Sequence, residues 1–290
     1  MDDIARRYLR LLKQSLVNDL YIENEVRLAH CLTALANGTP IELATLADIR
    51  HDQPLFRSVD RAKEVGGTIM IGRVENGQVV ELPALRRVTD VSHTMIGRKR
   101  LDNLEHCLER ILADDIPGDL IETGVWRGGA VIFMRGFLAA HEVADRVVWA
   151  ADSFEGLPPP SLPEDAGYEF SAKFSPGLVV DLDSVKALID RYGLLDDQVR
   201  FLKGWFKDTL PSAPIERLAL LRLDGDLYES TMDALNALYD KVSPGGFIVV
   251  DDYFSCPPCG VAIEAFRSHR AITDEKQRID PQSLFWRKSA

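Results

Sequence analysis

Leu218-Ala-Leu-Leu-Arg-Leu-Asp-Gly-Asp-Leu-Tyr-Glu-Ser-Thr231 and Ser243-Pro-Gly-Gly-Phe-Ile-Val-Val-Asp-Asp-Tyr253 decide how the chain folds. Each holds an apolar run that ends in acids. Leu218–Leu223 reads as a buried strand stopping at Asp224 and Asp226, and Phe247–Val250 as a second stopping at Asp251 and Asp252. Between them, Met232, Leu235, Leu238 and Val242 recur at helical spacing, predicting a helix over Ser230–Val242. Strand, helix, strand is normally a parallel, right-handed unit. Both strands then finish on one sheet edge, and Asp224, Asp251 and Asp252 meet there although 27 positions separate the first two. Ligands of open α/β sheets bind beyond that edge. Clustered carboxylates repel unless protons or a cation offset them, and a hard ion such as Mg²⁺ suits all-oxygen ligands. The competing reading makes these acids caps for loops and helices; their convergence favours the metal.

Outward from this unit the same pattern repeats. Asp119-Leu-Ile-Glu-Thr-Gly-Val-Trp-Arg-Gly-Gly-Ala130 predicts a strand running to Glu122, a glycine turn and a helix over Ala130–Ala140. It departs from the Gly-x-Gly-x-x-Gly nucleotide fingerprint. An acid at that strand end repels phosphate and suits a cationic ligand such as the amino group of S-adenosylmethionine; glycine permits close backbone approach. The bland alternative is an ordinary strand-to-helix turn. Arg146–Asp152 predicts the next strand, ending in an acid placed to accept from ribose hydroxyls. Val199–Gly204 predicts a third strand leading to Trp205 and Phe206, which either stack on a flat base or belong to the core. Residues 158–180 read as a loop, Val185–Tyr192 and Val261–His269 as helices, and Ile279–Trp286 as the last strand or strands.

Ahead of the sheet, Leu101, Leu104, Cys107, Leu108, Ile111 and Leu112 predict one helix, stopped by Pro117-Gly118. Residues 4–35 predict two helices broken near Tyr21–Asn24. Asn76-Gly77 between short apolar runs predicts a hairpin at about 68–82. Residues 1–90 are therefore expected to form a helical and hairpin appendage, a lid or an oligomer contact, and residues 91–290 a Rossmann-like domain.

A net charge of −11 argues against a nucleic-acid partner. No apolar run is long enough to span a bilayer, and the N-terminus has no signal-peptide pattern, so a cytoplasmic protein without a membrane partner is expected. Cys256-Pro-Pro-Cys259 lacks a second pair or a histidine at finger spacing, so the cysteines are expected to be reduced and in a loop.

The motifs Asp119-Leu-Ile-Glu-Thr-Gly-Val-Trp-Arg-Gly-Gly, Asp152-Ser-Phe-Glu-Gly-Leu-Pro, Gly204-Trp-Phe-Lys-Asp-Thr-Leu-Pro, Leu223-Asp-Gly-Asp-Leu-Tyr-Glu-Ser-Thr and Asp251-Asp-Tyr together resemble the macrocin O-methyltransferase family. Ser92-His-Thr-Met-Ile-Gly and Tyr8-Leu-Arg-Leu-Leu-Lys-Gln-Ser-Leu resemble its N-terminal motifs. The resemblance covers roughly residues 8–25 and 90–255 and implies the seven-stranded class I S-adenosylmethionine-dependent methyltransferase fold. It implies S-adenosyl-L-methionine and Mg²⁺ as cofactors, and methyl transfer to a sugar hydroxyl of a natural-product glycoside such as a macrolide or aminocoumarin. Glu122, Thr123, Gly124, Val125 and Trp126, helped by Thr94 and Met95, would hold the methionine part. Asp152 would hold the ribose, with Ser153 and Gly156 beside it, and Trp205 and Phe206 would lie near the adenine. Asp224, Asp251 and Asp252 would bind the metal, with Asp224 also the general base. A homodimer or higher homo-oligomer is implied. A catechol acceptor, which chelates equally well, and a non-catalytic scaffold are the alternative readings.

Overall fold

In the computed structural model, residues 3–67, 69–86 and 91–289 are described. Thr68, the expected first hairpin residue, and position 90, the expected end of the appendage, lie outside them. The chain packs as two compact units, one Leu11–Arg98 and the other Met1–Arg10 with Lys99–Ala290. No helix among the described residues is long and apolar enough to cross a membrane.

Leu11–Arg98 contains the end of α1 (Asp3–Leu16), α2 (Ile22–Asn37), α3 (Leu43–Ala47), α4 (Pro54–Val65), a hairpin of β1 (Gly72–Glu75) and β2 (Gln78–Glu81), and α5 (Pro83–Arg86). The break between α1 and α2 falls earlier than the expected Tyr21–Asn24. Asn18 takes a left-handed φ of 62° and a one-turn 3₁₀ segment follows at Asp19–Tyr21. Asparagine tolerates that conformation better than most residues. Asn76 and Gly77, with φ of 50° and 77°, close the hairpin as its dipeptide predicts. Ile22, Val26, Phe56 and Val59 form one small core, and Ala29, Leu32 and Ile71 another.

The larger unit is organised on a seven-stranded sheet. Its elements run α6 (Arg98–Ala113), β3 (Asp119–Thr123), α7 (Gly129–Ala140), β4 (Val148–Asp152), α8 (Leu182–Arg191), β5 (Val199–Lys203), α9 (Phe206–Thr209), β6 (Leu218–Leu223), α10 (Tyr228–Leu238), β7 (Val242–Val250), α11 (Pro257–His269), β8 (Gln277–Arg278) and β9 (Leu284–Arg287). Spatial order is β5-β4-β3-β6-β7-β9-β8. The first five strands in that order pair in parallel, and β9 joins β7 and β8 antiparallel. The order reverses between β3 and β6, the switch point where such sheets open a ligand crevice. Leu221, Leu223, Ile248 and Val250 share one apolar cluster with Leu235 and Leu238 of α10 and Ile263 and Phe266 of α11.

Two expectations need correction. Val242 is not the last turn of a helix but the first residue of β7, paired with Leu218, while Phe247 pairs with Leu220. Four residues of β7 thus bulge against one of β6, a local break that helical spacing alone does not reveal. Cys256 and Cys259 are unpaired, as expected for reduced thiols, but they are not in a loop. Cys256 caps α11 and Cys259 lies in its first turn, because two prolines start a helix well where no N–H donor is needed.

The loop of residues 158–180 carries one fully buried acid, Asp165. Its oxygens accept from the Tyr228 and Glu229 N–H groups at 2.7 and 3.1 Å, so it caps α10 from outside the helix. No local sequence pattern announces a cap 63 residues away. Asp165→Ala should lower unfolding free energy by about 1–3 kcal/mol, measured by denaturant titration; an unchanged midpoint would show that the cap contributes nothing.

Candidate functional site

The carboxyl edge of the sheet is tied strand to strand by backbone hydrogen bonds. Gly204 N–H donates to Asp152 O, Gly124 N–H to Ala151 O, Asp224 N–H to Thr123 O and Asp251 N–H to Leu223 O, each at 2.9 Å. The strands therefore finish level, and their terminal acids share one rim. Gly124 has φ 95°, and a Cβ there would lie 1.7 Å from the Asp224 carbonyl oxygen. In this structure the glycine is required by the approach of β6's end.

Carboxylate oxygens of Asp224, Asp251 and Asp252 lie within 4.8 Å of one another. Arg222, 1% exposed, stands behind them. Its Nη1 donates to Glu122 Oε1 at 2.7 Å and to Asp224 Oδ2 at 2.6 Å, and its Nη2 donates to Asp251 Oδ1. Arg100 of α6 donates to the other oxygen of Asp251, to Asp280 Oδ2 at 2.8 Å, and to Gln282. The sequence reading passed over Arg222. The signal was present: an arginine inside a run otherwise destined for burial needs a partner. Asp226, with a left-handed φ of 56°, is a further acid in this neighbourhood.

Burial is the largest influence on every shifted acid here. It pushes Glu122 up to about 8, with Arg222 pulling down and Asp224, Asp251 and Asp152 adding to the rise. It pushes Asp226 up to about 7, reinforced by Asp224 and Asp251. Asp251 is raised by burial and Asp224, and Asp252 by burial and then Asp226. Burial opposes the charge on Arg222, but Asp224, Asp251 and Glu122 outweigh it and keep it charged. Two buried oxygens, Glu122 Oε2 and Asp252 Oδ2, find no hydrogen-bond partner among the described residues. Buried acceptors are normally satisfied, so both atoms suit a cationic ligand: an ammonium at the first, a hard metal ion at the second.

Asp152 is engaged by two turns, its own and the one that follows β3. Oδ2 accepts from Val125 N–H at 2.7 Å and Trp126 N–H at 3.4 Å; Oδ1 accepts from Phe154 N–H at 2.7 Å and the Ser153 hydroxyl at 3.4 Å. Thr123 is buried, its hydroxyl donating to Arg222 O at 3.2 Å. Ser153 Oγ also contacts Gly156 O at 2.6 Å, where φ is 92°. Trp126 Nε1 donates to Gly177 O at 3.0 Å, and the Arg127 guanidinium lies 4.2 Å from the Trp126 ring centre. For Phe206 the core alternative holds at least in part: it packs against the sheet's apolar cluster. Trp205 is half-buried at the start of α9. Thr94 and Met95 belong to the other compact unit, where with Lys63, Ser92 and Ile96 they line a cavity.

Known structures share this fold. Over 99% of this chain and 100% of the other, the fold superposes on the O-methyltransferase NovP with TM-score 0.75 and 38% identity. The calicheamicin methyltransferase CalS11 superposes over 90% of this chain and 91% of its own, with TM-score 0.55 and 18% identity, a likeness of fold. Sheet and neighbours define a class I S-adenosylmethionine-dependent methyltransferase. The sequence matches the family described as Macrocin-O-methyltransferase (TylF) over residues 5–288. It is 53% identical over 203 residues to the demethyldecarbamoylnovobiocin O-methyltransferase of Streptomyces niveus, covering 68% of this chain and 76% of that one. It is 53% identical over 204 residues to the mycinamicin III 3''-O-methyltransferase of Micromonospora griseorubida, covering 69% and 80%. The chain belongs to the macrocin-O-methyltransferase family, and it is an S-adenosylmethionine-dependent O-methyltransferase.

Glu122 binds its proton more tightly folded than unfolded. Its share of stability is complete below its ordinary value of 4.5 and is lost as pH rises through about 8. Asp226 acts in the same direction. Differential scanning calorimetry of the ligand-free protein should give a Tm that falls across that window, with Glu122→Gln flattening the fall. A Tm that climbs over the same range contradicts this assignment.

Proposed function

We propose that this enzyme transfers the methyl group of S-adenosylmethionine to a sugar hydroxyl of a natural-product glycoside, with Mg²⁺ held by Asp224, Asp251 and Asp252. The observation that carries the reading is the convergence of those three carboxylates, whose oxygens lie within 4.8 Å of one another. When bound, the cofactor supplies an electrophilic methyl group and the metal supplies Lewis acidity toward the acceptor oxygen. The named substrates of the relatives support the sugar acceptor: mycinamicin III, and a rhamnosyl tetracenomycin for an enzyme of Streptomyces olivaceus 55% identical over 202 residues.

The chain's own residues bind, orient and move one proton. Glu122 Oε2 would accept from the cofactor's ammonium, and the backbone of Thr123, Gly124, Val125 and Trp126 would shape the methionine seat. Asp152 receives the ribose hydroxyls through the lone pairs now carrying its two 3.4 Å contacts; Ser153 and Gly156 shape that turn. Trp205 and Phe206 border the adenine. Asp224, only partly buried, would take the proton of the acceptor hydroxyl. Fixing acceptor and methyl donor against one rigid sheet edge is the protein's main contribution to rate.

The exposed apolar Leu43, Val74 and Val79 support assembly into a homodimer or larger oligomer, acting in the cytoplasm. Asp224→Asn should reduce methyl transfer by about a thousandfold or more while calorimetry still detects S-adenosylhomocysteine binding. Mass spectrometry of glycoside and catechol acceptors, with and without EDTA, tests the rest. Turnover unaffected by excess EDTA removes the metal, and methylation of catechols alone replaces the sugar.

A further inference from the structure

We propose that Arg222 is a positioning residue that ties the cofactor's ammonium seat to the metal ligands, so that the two sites bind as one coupled unit. This rests on the roles proposed above for Glu122, Asp224 and Asp251. The geometry begins with register. Arg222 pairs across β3 with Glu122 and across β7 with Val249, two residues before Asp251. Asp224 lies two residues further on, just past the end of β6, and its Oδ2 turns back to the same guanidinium. One side chain thereby reaches acids from three adjacent strands.

Glu122 and Asp224 hang on the same nitrogen, Nη1, at 2.7 and 2.6 Å, while Nη2 takes Asp251. A planar guanidinium can divide its donors in this way; an ammonium is a point charge without a fixed fork. The division also leaves specific atoms over. Arg222 satisfies Glu122 Oε1 and leaves Oε2 without a partner among the described residues. The far oxygen of Asp251 is held by Arg100, which Asp280 and Gln282 anchor in turn. Asp251 is thus gripped from both sides, each of its oxygens retaining a lone pair for a further ligand. Any cation arriving at Asp224 weakens that acid's hold on Nη1 and changes what Glu122 feels, and the converse follows by linkage.

Isothermal titration calorimetry on the full chain tests this, with S-adenosylhomocysteine and Mg²⁺ as probes. In the wild type, the Kd for S-adenosylhomocysteine should change when Mg²⁺ is present. Arg222→Lys, which keeps the charge and loses the fork, should weaken both probes by about tenfold or more and abolish the dependence of one on the other. A purely structural role would lower Tm and leave the ratio of the two Kd values intact. A folded Arg222→Lys protein with wild-type Kd values and ratio overturns the proposal. Should circular dichroism show Arg222→Lys unfolded, Arg100→Lys replaces it. That variant touches Asp251 but not Glu122, and should weaken Mg²⁺ while sparing S-adenosylhomocysteine in its absence; loss of neither affinity, or equal loss of both, overturns the proposal. If the wild type fails to bind Mg²⁺ at all, the metal reading falls, and the Arg222–Glu122 link is still decided by the S-adenosylhomocysteine affinity of Arg222→Lys.

Discussion

Like charges crowded at one end of a sheet must be compensated, and here the compensation is internal. Glu122, Asp224, Asp251 and Asp252 meet where two backbone hydrogen bonds, Asp224 N–H to Thr123 O and Asp251 N–H to Leu223 O, hold the ends of β3, β6 and β7 level. Desolvating carboxylates without partners is costly. Arg222 and Arg100 offset part of that charge from within the core. The same logic explains why neither arginine sits at the solvent front: a guanidinium at the rim would occupy the oxygens a ligand needs, whereas one behind it orders the acids and leaves their outer atoms open.

The cost of this arrangement is visible in the protonation of the acids. Glu122 and Asp226 hold protons well above the usual carboxylate range, and Asp251 and Asp252 shift the same way. Burial disfavours the charged form of these acids, and a bound cation would offset the charge they carry once the proton leaves. Gly124 shows a related constraint. The close approach of the Asp224 carbonyl excludes a side chain there, so the turn after β3 and the end of β6 are in backbone contact.

Much was legible from local pattern. Apolar runs ending in acids named β3, β4, β6 and β7, and their separation by helical spacing gave the parallel arrangement. Asn76-Gly77 announced its hairpin because few dipeptides accept two left-handed residues in a row. Boundaries failed where the cause was non-local. Val242 has helical spacing from Leu238, yet pairing with Leu218 makes it strand. Asp165, 63 residues from the helix it caps, looked like any loop acid.

The sequence alone determined that acids end the central strands and that a parallel sheet would collect them, because strand order and direction follow from alternating strand and helix patterns. It could also place the chain in its family, because whole motifs recur in order. Only the tertiary structure decided which oxygens are already taken. Hydrogen-bond partners depend on register between strands far apart in the chain, and a one-residue change in register would set Arg222 against different neighbours. That is why the pairing of Arg222 with Glu122, Asp224 and Asp251, and the two oxygens left over, became visible only in three dimensions.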